Sequence, residues 1–189
     1  VDIPSELASE LIEASDDDLD LALETLRSWV DDDLLDTTGE GVSFVADREV
    51  SVPDTLADIA QSRLQRIVED VAGEHASELD DVLEIGATLG QSPRMREWRV
   101  ATEIHGVTLR DRQLEQLAHH GILVADESRW RFASAQYRQA LLERSAEKGV
   151  ERRHHATCAR AIAQLHGREA AGAAARLAFH LERTDAPQA

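Results

Sequence analysis

The sequence predicts a mainly α-helical protein with two short β-hairpins. Apolar residues recur every three or four positions along most of the 189 residues, which is the period of amphipathic helices. Residues 34–45 and 122–132 instead carry brief apolar runs on either side of polar turns, which is typical of hairpins. The hydrophobic content of 42% and the charged content of 30% are those of a folded chain. We therefore expect one or two compact domains with a substantial core.

The N-terminal part is predicted to form two helices and the first hairpin. Pro4 precedes a helix over residues 5–14, and three aspartates at residues 16–18 offer N-caps for a second helix that ends near Val30. A polar turn at residues 37–41 then separates two short strands.

The rest of the chain is predicted to form seven helices and the second hairpin. Pro53 opens the first of these helices, and the next one covers residues 76–89 and ends at Gly90. Thr108 with Asp111 gives a T-x-x-D capping signal for the helix before the hairpin. The remaining predicted helices cover residues 95–104, 135–147, 150–166 and 169–183.

The two hairpin regions align without a gap at an offset of 88 residues. Leu35 and Phe44 fall on Leu123 and Phe132, and each region is predicted as helix, turn, strand, turn, strand. Duplication and convergence on a common small motif explain this alignment equally well. With its preceding helices, the second region has the plan of a winged helix. We predict a helical unit with a hairpin over residues 1–50, a winged-helix domain over 51–146 and a helical pair over 147–189.

Charge is distributed very unevenly along the chain. The net charge is −17, but residues 1–90 carry 25 acidic and 4 basic side chains, whereas residues 91–189 carry 12 acidic and 16 basic ones. Such an excess of acid argues against a protein that coats nucleic acid or an anionic membrane. An acidic and a basic half suggest surfaces that attract one another, although a solvated acidic face explains the pattern equally well.

Cysteine content and hydropathy indicate a cytoplasmic location. The single cysteine, Cys158, excludes an internal disulfide framework and fits a reducing compartment. No apolar run approaches the roughly 20 residues that span a bilayer, and no signal peptide opens the chain, so we predict no membrane partner. The sequence begins at Val1 without an initiator Met, and we expect a piece of a longer polypeptide.

The order of these elements resembles the region that follows the nucleotide-binding core in bacterial STAND-type signalling ATPases, including activators of the maltose-regulon type. The resemblance covers the chain from Ile3 to Asp185. The stretches that carry it are Ile3-Pro4 through Ser15, Val52-Pro53-Asp54-Thr55-Leu56 with Arg63-Leu64, residues 114–132, Phe132 to Leu142 with Arg152-Arg153-His154, and Leu177-Ala178-Phe179-His180.

The resemblance implies lid helices, a winged helix and the start of tetratricopeptide-like repeats. It also implies that the turn before the lid helix and a residue after the wing lie near bound nucleotide. In this sequence those positions are Asp16, Asp17, Asp18 and Ser134, where the family commonly has Gly-Gly-Asn-Pro and His. Three carboxylates beside a phosphate are unfavourable, so we expect degraded nucleotide contacts. No phosphate loop occurs, so we expect no cofactor in this segment, with ATP or ADP bound by the parent protein.

A winged helix can instead read DNA, and this alternative has its own candidate residues. Basic and amide side chains at predicted exposed positions of the presumed recognition helix and on the wing suit phosphate and base contacts. The candidates are Arg110, Arg112, Gln113, Gln116, Arg129 and Arg131. Asp111 and Glu115 on the same helix, together with the overall acidity, argue against DNA as a partner.

Neither a catalytic constellation nor a metal site is predicted. His154, His155 and Cys158 form an H-H-x-x-C cluster, but no partner pair at zinc-site spacing accompanies it. Acidic runs such as Asp80-Asp81 with Glu84 are interpreted as exposed helix faces. The aromatic residues are interpreted as core anchors: Trp29, Trp98, Trp130, Phe132 and Tyr137.

The favoured function is therefore non-catalytic: a regulatory and protein-interaction segment of a STAND-type ATPase that relays nucleotide or ligand state. Its expected partners are the ATPase core and the downstream repeats of the same parent chain, with a second copy or another protein as further candidates. The alternatives are a winged-helix transcription regulator and a standalone protein-binding scaffold.

Overall fold

The structure is a computed structural model of the chain. It describes residues 9, 22, 23, 25, 26, 29, 30, 35, 36, 43, 44, 56–126, 129–166 and 171–185. The chain divides into two compact units, residues 1–63 and 64–189. The predicted division into three parts, at residues 50 and 146, stays a prediction.

The first unit contains a minimal antiparallel hairpin. Strand β1 (Leu35–Asp36) pairs with β2 (Ser43–Phe44), and Leu35 lies opposite Phe44. The described residues between positions 22 and 30 are helical, and Trp29 among them is buried. The predicted helix and hairpin are thus both present at the described positions.

The second unit consists of helices and one longer hairpin. Its first helix begins in the first unit, and a single 3-10 turn, Gly73–His75, separates that helix from the next. The helices are α1 (Leu56–Ala72), α2 (Ala76–Leu89), α3 (Met95–His105), α4 (Asp111–His119), α5 (Ala135–Glu147), α6 (Glu151–His166) and α7 (Ala171–Asp185). The strands are β3 (Leu123–Asp126) and β4 (Arg129–Phe132).

Helix α2 is the centre of the second unit. Every residue from Val82 to Leu89 is buried, because α3, α5 and α6 all pack against this helix. Gly86 allows Trp98 of α3 to approach α2 closely, since a Cβ atom at this position would lie 2.5 Å from Cζ2 of Trp98. The Trp98 indole N–H donates to the Val82 carbonyl at 2.8 Å, so this buried aromatic is also satisfied.

The hairpin is attached to the end of α2. Strands β3 and β4 pair antiparallel with Leu123 opposite Phe132, and both of these side chains are buried. The Phe132 N–H donates to the Gln91 carbonyl at 3.0 Å, and the Gln91 side chain donates back to the Phe132 carbonyl at 2.9 Å. These two bonds fix the hairpin beside the central helix.

The predicted fold class is confirmed: the chain is mainly α with short β-hairpins. Helices α2 and α5 have the predicted bounds, and the other helices of the second unit differ by a few residues at their ends. The capping prediction at Thr108 is wrong. Helix α4 has Arg110 at its N-cap, and the Thr108 N–H donates instead to Glu78 Oε1 at 3.0 Å.

Most of the predicted core aromatics are buried: Trp29, Trp98, Phe132 and Tyr137. Trp130 is only half-buried on β4. None of the helices in the described part of the chain is long and apolar enough to cross a bilayer.

Candidate functional site

A cluster of polar and charged side chains lies inside the second unit, where α2, α3, α5 and α6 meet. We call it the polar cluster. Its members are Asp80, Asp81, Glu84, His105, Arg144, Ser145, Lys148 and His154. Asp80 and Glu84 are four residues apart, which places them on one face of α2. The cluster therefore draws on residues that are far apart in sequence.

Glu84 is the most deeply buried carboxylate of the polar cluster, with no exposed side-chain surface. Its Oε1 accepts from Lys148 Nζ at 2.7 Å, whereas its Oε2 has no hydrogen-bond partner among the described residues. Burial raises the pKa of Glu84, and Lys148 offsets this only in part. Asp80 accepts from Arg144 Nη1 at 2.6 Å, so this second cation is also paired.

His154 is a residue of α6, is fully buried and lies beside Glu84 of α2. Its Nδ1 is 2.9 Å from Ser145 Oγ and 3.9 Å from Glu84 Oε2, whereas its Nε2 has no partner in the described part of the protein. Burial, together with the nearby His105 and Arg153, lowers the pKa of His154 to about 4. The imidazole is therefore neutral near pH 7.

His105 ends helix α3, and Gly106 follows it in the left-handed conformation at φ 94°. A residue with a side chain is strained there, so the glycine ends the helix at this point. His105 Nε2 lies 3.7 Å from Asp81 Oδ2, and the His105 and His154 ring centroids are 5.1 Å apart. The nearest ligand-type atoms of Asp81, His105 and His154 all lie within 4.8 Å of one another.

A second buried carboxylate, Glu97 on α3, is paired quite differently. Arg176 of α7 donates to both of its oxygens, with 2.7 Å between Arg176 Nη1 and Oε1, and His166 Nε2 lies 2.8 Å from Oε1. Although burial raises the pKa of Glu97, these contacts outweigh it and lower the pKa below its usual range. Glu97 thus ties α3 to α6 and α7.

An apolar groove of about 430 Å³ lies between α6 and α7. Small side chains from α6 form one wall, and longer apolar side chains from α7 form the other. The lining residues are Ala156, Ala159, Arg160, Ala163, Leu177, Leu181 and Thr184. Leu181 is 48% exposed, so an apolar surface of two helices is left open to solvent.

The residues predicted to lie near nucleotide do not form a site in the described structure. Asp16, Asp17 and Asp18 lie outside the described residues. Ser134 is the N-cap of α5, where its hydroxyl oxygen accepts from the Tyr137 N–H at 3.3 Å. This contact gives Ser134 a structural role as a helix cap.

Two of the DNA-binding candidates are engaged within the fold. Gln113 is buried, so its predicted place on an exposed helix face is wrong. Arg110 is exposed, but its guanidinium lies 3.3 Å from Glu78 Oε2. The other candidates are exposed or half-buried on α4 and β4: Arg112, Gln116, Arg129 and Arg131.

The H-H-x-x-C cluster separates into three environments. His154 belongs to the polar cluster, while His155 Nδ1 lies 2.9 Å from His180 Nδ1 on α7. Cys158 is buried with its Sγ 3.8 Å from the Ile85 carbonyl oxygen, and burial raises the pKa of its thiol. Such a thiol is a core side chain and not an activated nucleophile.

Sequence reasoning missed the meeting of Asp81, His105 and His154. It also interpreted Asp80, Asp81 and Glu84 as an exposed acidic face, which is wrong for Glu84 and Asp80, since both are largely buried. One local signal was available: Glu84 stands within the apolar segment from Val82 to Leu89. A carboxylate in such a segment is rarely left without a partner.

Comparisons with protein-family models, with curated proteins and with solved structures gave no match.

Proposed function

We propose that this chain is a non-catalytic regulatory and protein-interaction segment of a STAND-type signalling ATPase in the cytoplasm. In this role it relays the nucleotide or ligand state of the ATPase core to downstream helical repeats. Support comes from the sequence motifs and their order, and from helices and hairpins in the order that the resemblance implies.

The single observation that carries the proposal is the apolar groove between α6 and α7. Ala156, Ala159 and Ala163 leave room for a helix backbone to approach closely, and Leu177 and Leu181 provide apolar contact area. Grooves of this kind bind the apolar face of an amphipathic helix. The occupant in this proposal is the first helix of the downstream repeats of the parent chain.

A charge at the groove also favours one kind of docked helix. Arg160 is the charged residue among the described residues that line the groove, and it is exposed. An acidic side chain on the docked helix is therefore favoured opposite Arg160. Docking and release of that helix form a two-state element whose populations differ between the nucleotide states of the parent protein.

The proposal does not include nucleotide binding by this segment. Asp16, Asp17 and Asp18 would repel phosphate, and Ser134 uses its hydroxyl to cap α5. Any ATP or ADP is bound by the core of the parent protein.

Hydrogen exchange on the parent protein, with and without ATP, tests the relay. We expect the amides of α6 and α7 that line the groove to change protection between the two states. Leu181→Glu should abolish this change because it places a charge in the groove. Phe179→Glu is the matched control, since Phe179 is exposed on the same helix to a similar extent but does not line the groove.

Two results would contradict the proposal. One is nucleotide binding by the parent protein with no change of exchange at the groove. The other is an equal loss of the response in both variants, because the groove would then not be the docking surface.

DNA binding is not proposed as a second function. Gln113 is buried and Arg110 is paired with Glu78, so the recognition surface of that alternative is reduced. An anisotropy titration with duplex DNA should detect no binding even at low salt, where electrostatic affinity is greatest. Binding there would revive the alternative.

A further inference from the structure

The geometry points to a divalent transition-metal site of the Zn²⁺ class, formed by Asp81, His105 and His154 in the polar cluster. It lies apart from the apolar groove and does not depend on the proposed function. Its ligands come from three helices, so a bound ion would cross-link α2, α3 and α6.

The donor set is the first argument. Two imidazole nitrogens and one carboxylate oxygen are the ligands that Zn²⁺ and neighbouring transition ions prefer. The ligand-type atoms of the three residues lie within 4.8 Å of one another. In a zinc site with ligand distances of about 2.1 Å, donor atoms are roughly 3.4 Å apart. Closure around an ion therefore requires these atoms to approach one another by up to about 1.4 Å.

Unsatisfied buried atoms are the second argument. His154 Nε2 and His105 Nδ1 are buried without hydrogen-bond partners among the described residues. Leaving such atoms unpaired costs free energy, and a metal ion would satisfy at least one of them.

The neighbours of His154 fix its orientation. Ser145 Oγ and Glu84 Oε2 both lie on the Nδ1 side of the ring, at 2.9 and 3.9 Å. A carboxylate on that side favours the tautomer with a proton on Nδ1, which leaves the Nε2 lone pair for the ion. Metal-binding histidines usually have such a partner on the other ring nitrogen. Ser145 and Glu84 therefore act as positioning residues in this site.

The charges around Asp81, His105 and His154 are compatible with a bound cation. Three cations lie nearby, but Lys148 and Arg144 are neutralised by Glu84 and Asp80, and Arg153 is exposed to solvent. Asp81 remains as the carboxylate available to the ion. Its side chain is 35% exposed, so an ion can enter from solvent on this side.

Titration of the purified chain with Zn²⁺, and with Co²⁺ as an absorbing substitute, tests the site. We expect one ion per chain and visible Co²⁺ absorption bands. Asp81→Asn should weaken Zn²⁺ binding at least tenfold, because it removes the anionic ligand, and it should not unfold the protein, because Asp81 is partly exposed. His105→Gln should have an effect of the same size.

A matched control is provided by Asp70, whose Oδ2 lies 3.8 Å from His120 Nε2 on the surface. This pair has nearly the same spacing as Asp81 and His105, but it belongs to no described group of three ligands. Asp70→Asn should therefore leave Zn²⁺ affinity unchanged. Circular dichroism confirms the folding of each variant.

Three results would overturn the site: no Zn²⁺ binding by the wild-type chain, wild-type affinity in folded Asp81→Asn, or an equal loss in Asp70→Asn. In a second measurement, long-range ¹H–¹⁵N spectra of the histidine side chains should change for His105 and His154 when Zn²⁺ is added. Changes confined to other histidines would also refute the assignment.

Discussion

Two carboxylates of the second unit, Glu84 and Glu97, are both buried but differ in how many of their oxygens have a hydrogen-bond partner among the described residues. Both side chains are almost inaccessible to solvent, at 0% and 1% exposure. Arg176 and His166 satisfy both oxygens of Glu97, whereas Lys148 satisfies only one oxygen of Glu84.

This difference explains the opposite directions of their pKa values. Burial raises both, but at Glu97 the charge-assisted hydrogen bonds outweigh it, and at Glu84 they do not. Glu97 is therefore a structural tie between helices. Glu84 lies in a cluster with polar atoms that have no hydrogen-bond partner among the described residues, which is the type of place where a ligand adds stability.

Removing the cation from each carboxylate should give the largest contrast. Arg176→Ala removes the cation that bonds both oxygens of buried Glu97 and leaves His166 on one of them, so we expect a loss of about 3 kcal/mol in the free energy of unfolding. Lys148→Ala should cost about 1 kcal/mol, because Lys148 is partly exposed and bonds only one oxygen of Glu84. Urea unfolding at pH 7 measures both losses.

An exposed ion pair is the control for this contrast. Arg99→Ala removes the contact with Asp111, where both side chains are well exposed, and should cost less than about 1 kcal/mol. If Arg176→Ala and Lys148→Ala were equally destabilising, the two carboxylates would not differ as described.

The pH dependence of stability tests a further buried group, His180, which lies near Arg176. Burial, together with His155 and Arg176, lowers the pKa of His180 from 6.5 to about 4. Between these values the unfolded chain binds more protons, so the stability that neutral His180 contributes is present above pH 6.5 and is lost as the pH falls toward 4. The loss is about 2–3 kcal/mol for this group.

Urea unfolding of wild type and His180→Asn at pH 7 and pH 4.5 measures this contribution. The variant should lose less stability than wild type on acidification, since its side chain does not titrate. Identical losses in the two proteins would mean that His180 titrates normally in the folded state.

A small effect on stability is also expected at Ser145, which contacts His154 beside Glu84. Ser145→Ala removes the hydroxyl that contacts His154 Nδ1 and should cost about 1 kcal/mol of unfolding free energy. Because this contact orients His154, the variant should also bind Zn²⁺ about tenfold more weakly. Thr184→Ala, which removes an exposed hydroxyl bonded to the Leu181 carbonyl, is the control and should change neither quantity. Unchanged Zn²⁺ affinity in Ser145→Ala would remove its positioning role.

The sequence predicted those helices and hairpins whose positions are determined by residues close together in the chain. Helix α2 has its predicted bounds because its apolar spacing and Gly90 are local signals. The hairpin at β3 and β4 was likewise indicated by two apolar runs around a polar turn. The start of α4 was missed because Thr108 donates its N–H to Glu78, a residue 30 positions away.

The polar cluster could not be predicted in the same way. Asp81, His105 and His154 belong to three helices, and only the packing of those helices brings them together. His154 belongs to the H-H-x-x-C motif, but the potential metal ligands beside it are Asp81 and His105, not His155 or Cys158. A periodic pattern shows which face of a helix is buried, but not which side chains it meets.

Direct titration of the two carboxyl groups tests the central contrast. ¹³C-detected NMR of the metal-free chain, from pH 7 down to the acid limit of folding, follows the side-chain carboxyl signals of Glu84 and Glu97. We expect the pKa of Glu84 to lie above the ordinary 4.5 and that of Glu97 to lie below it. Two pKa values on the same side of 4.5, or the reverse order, would contradict the account in which Glu97 has both oxygens paired and Glu84 has only one.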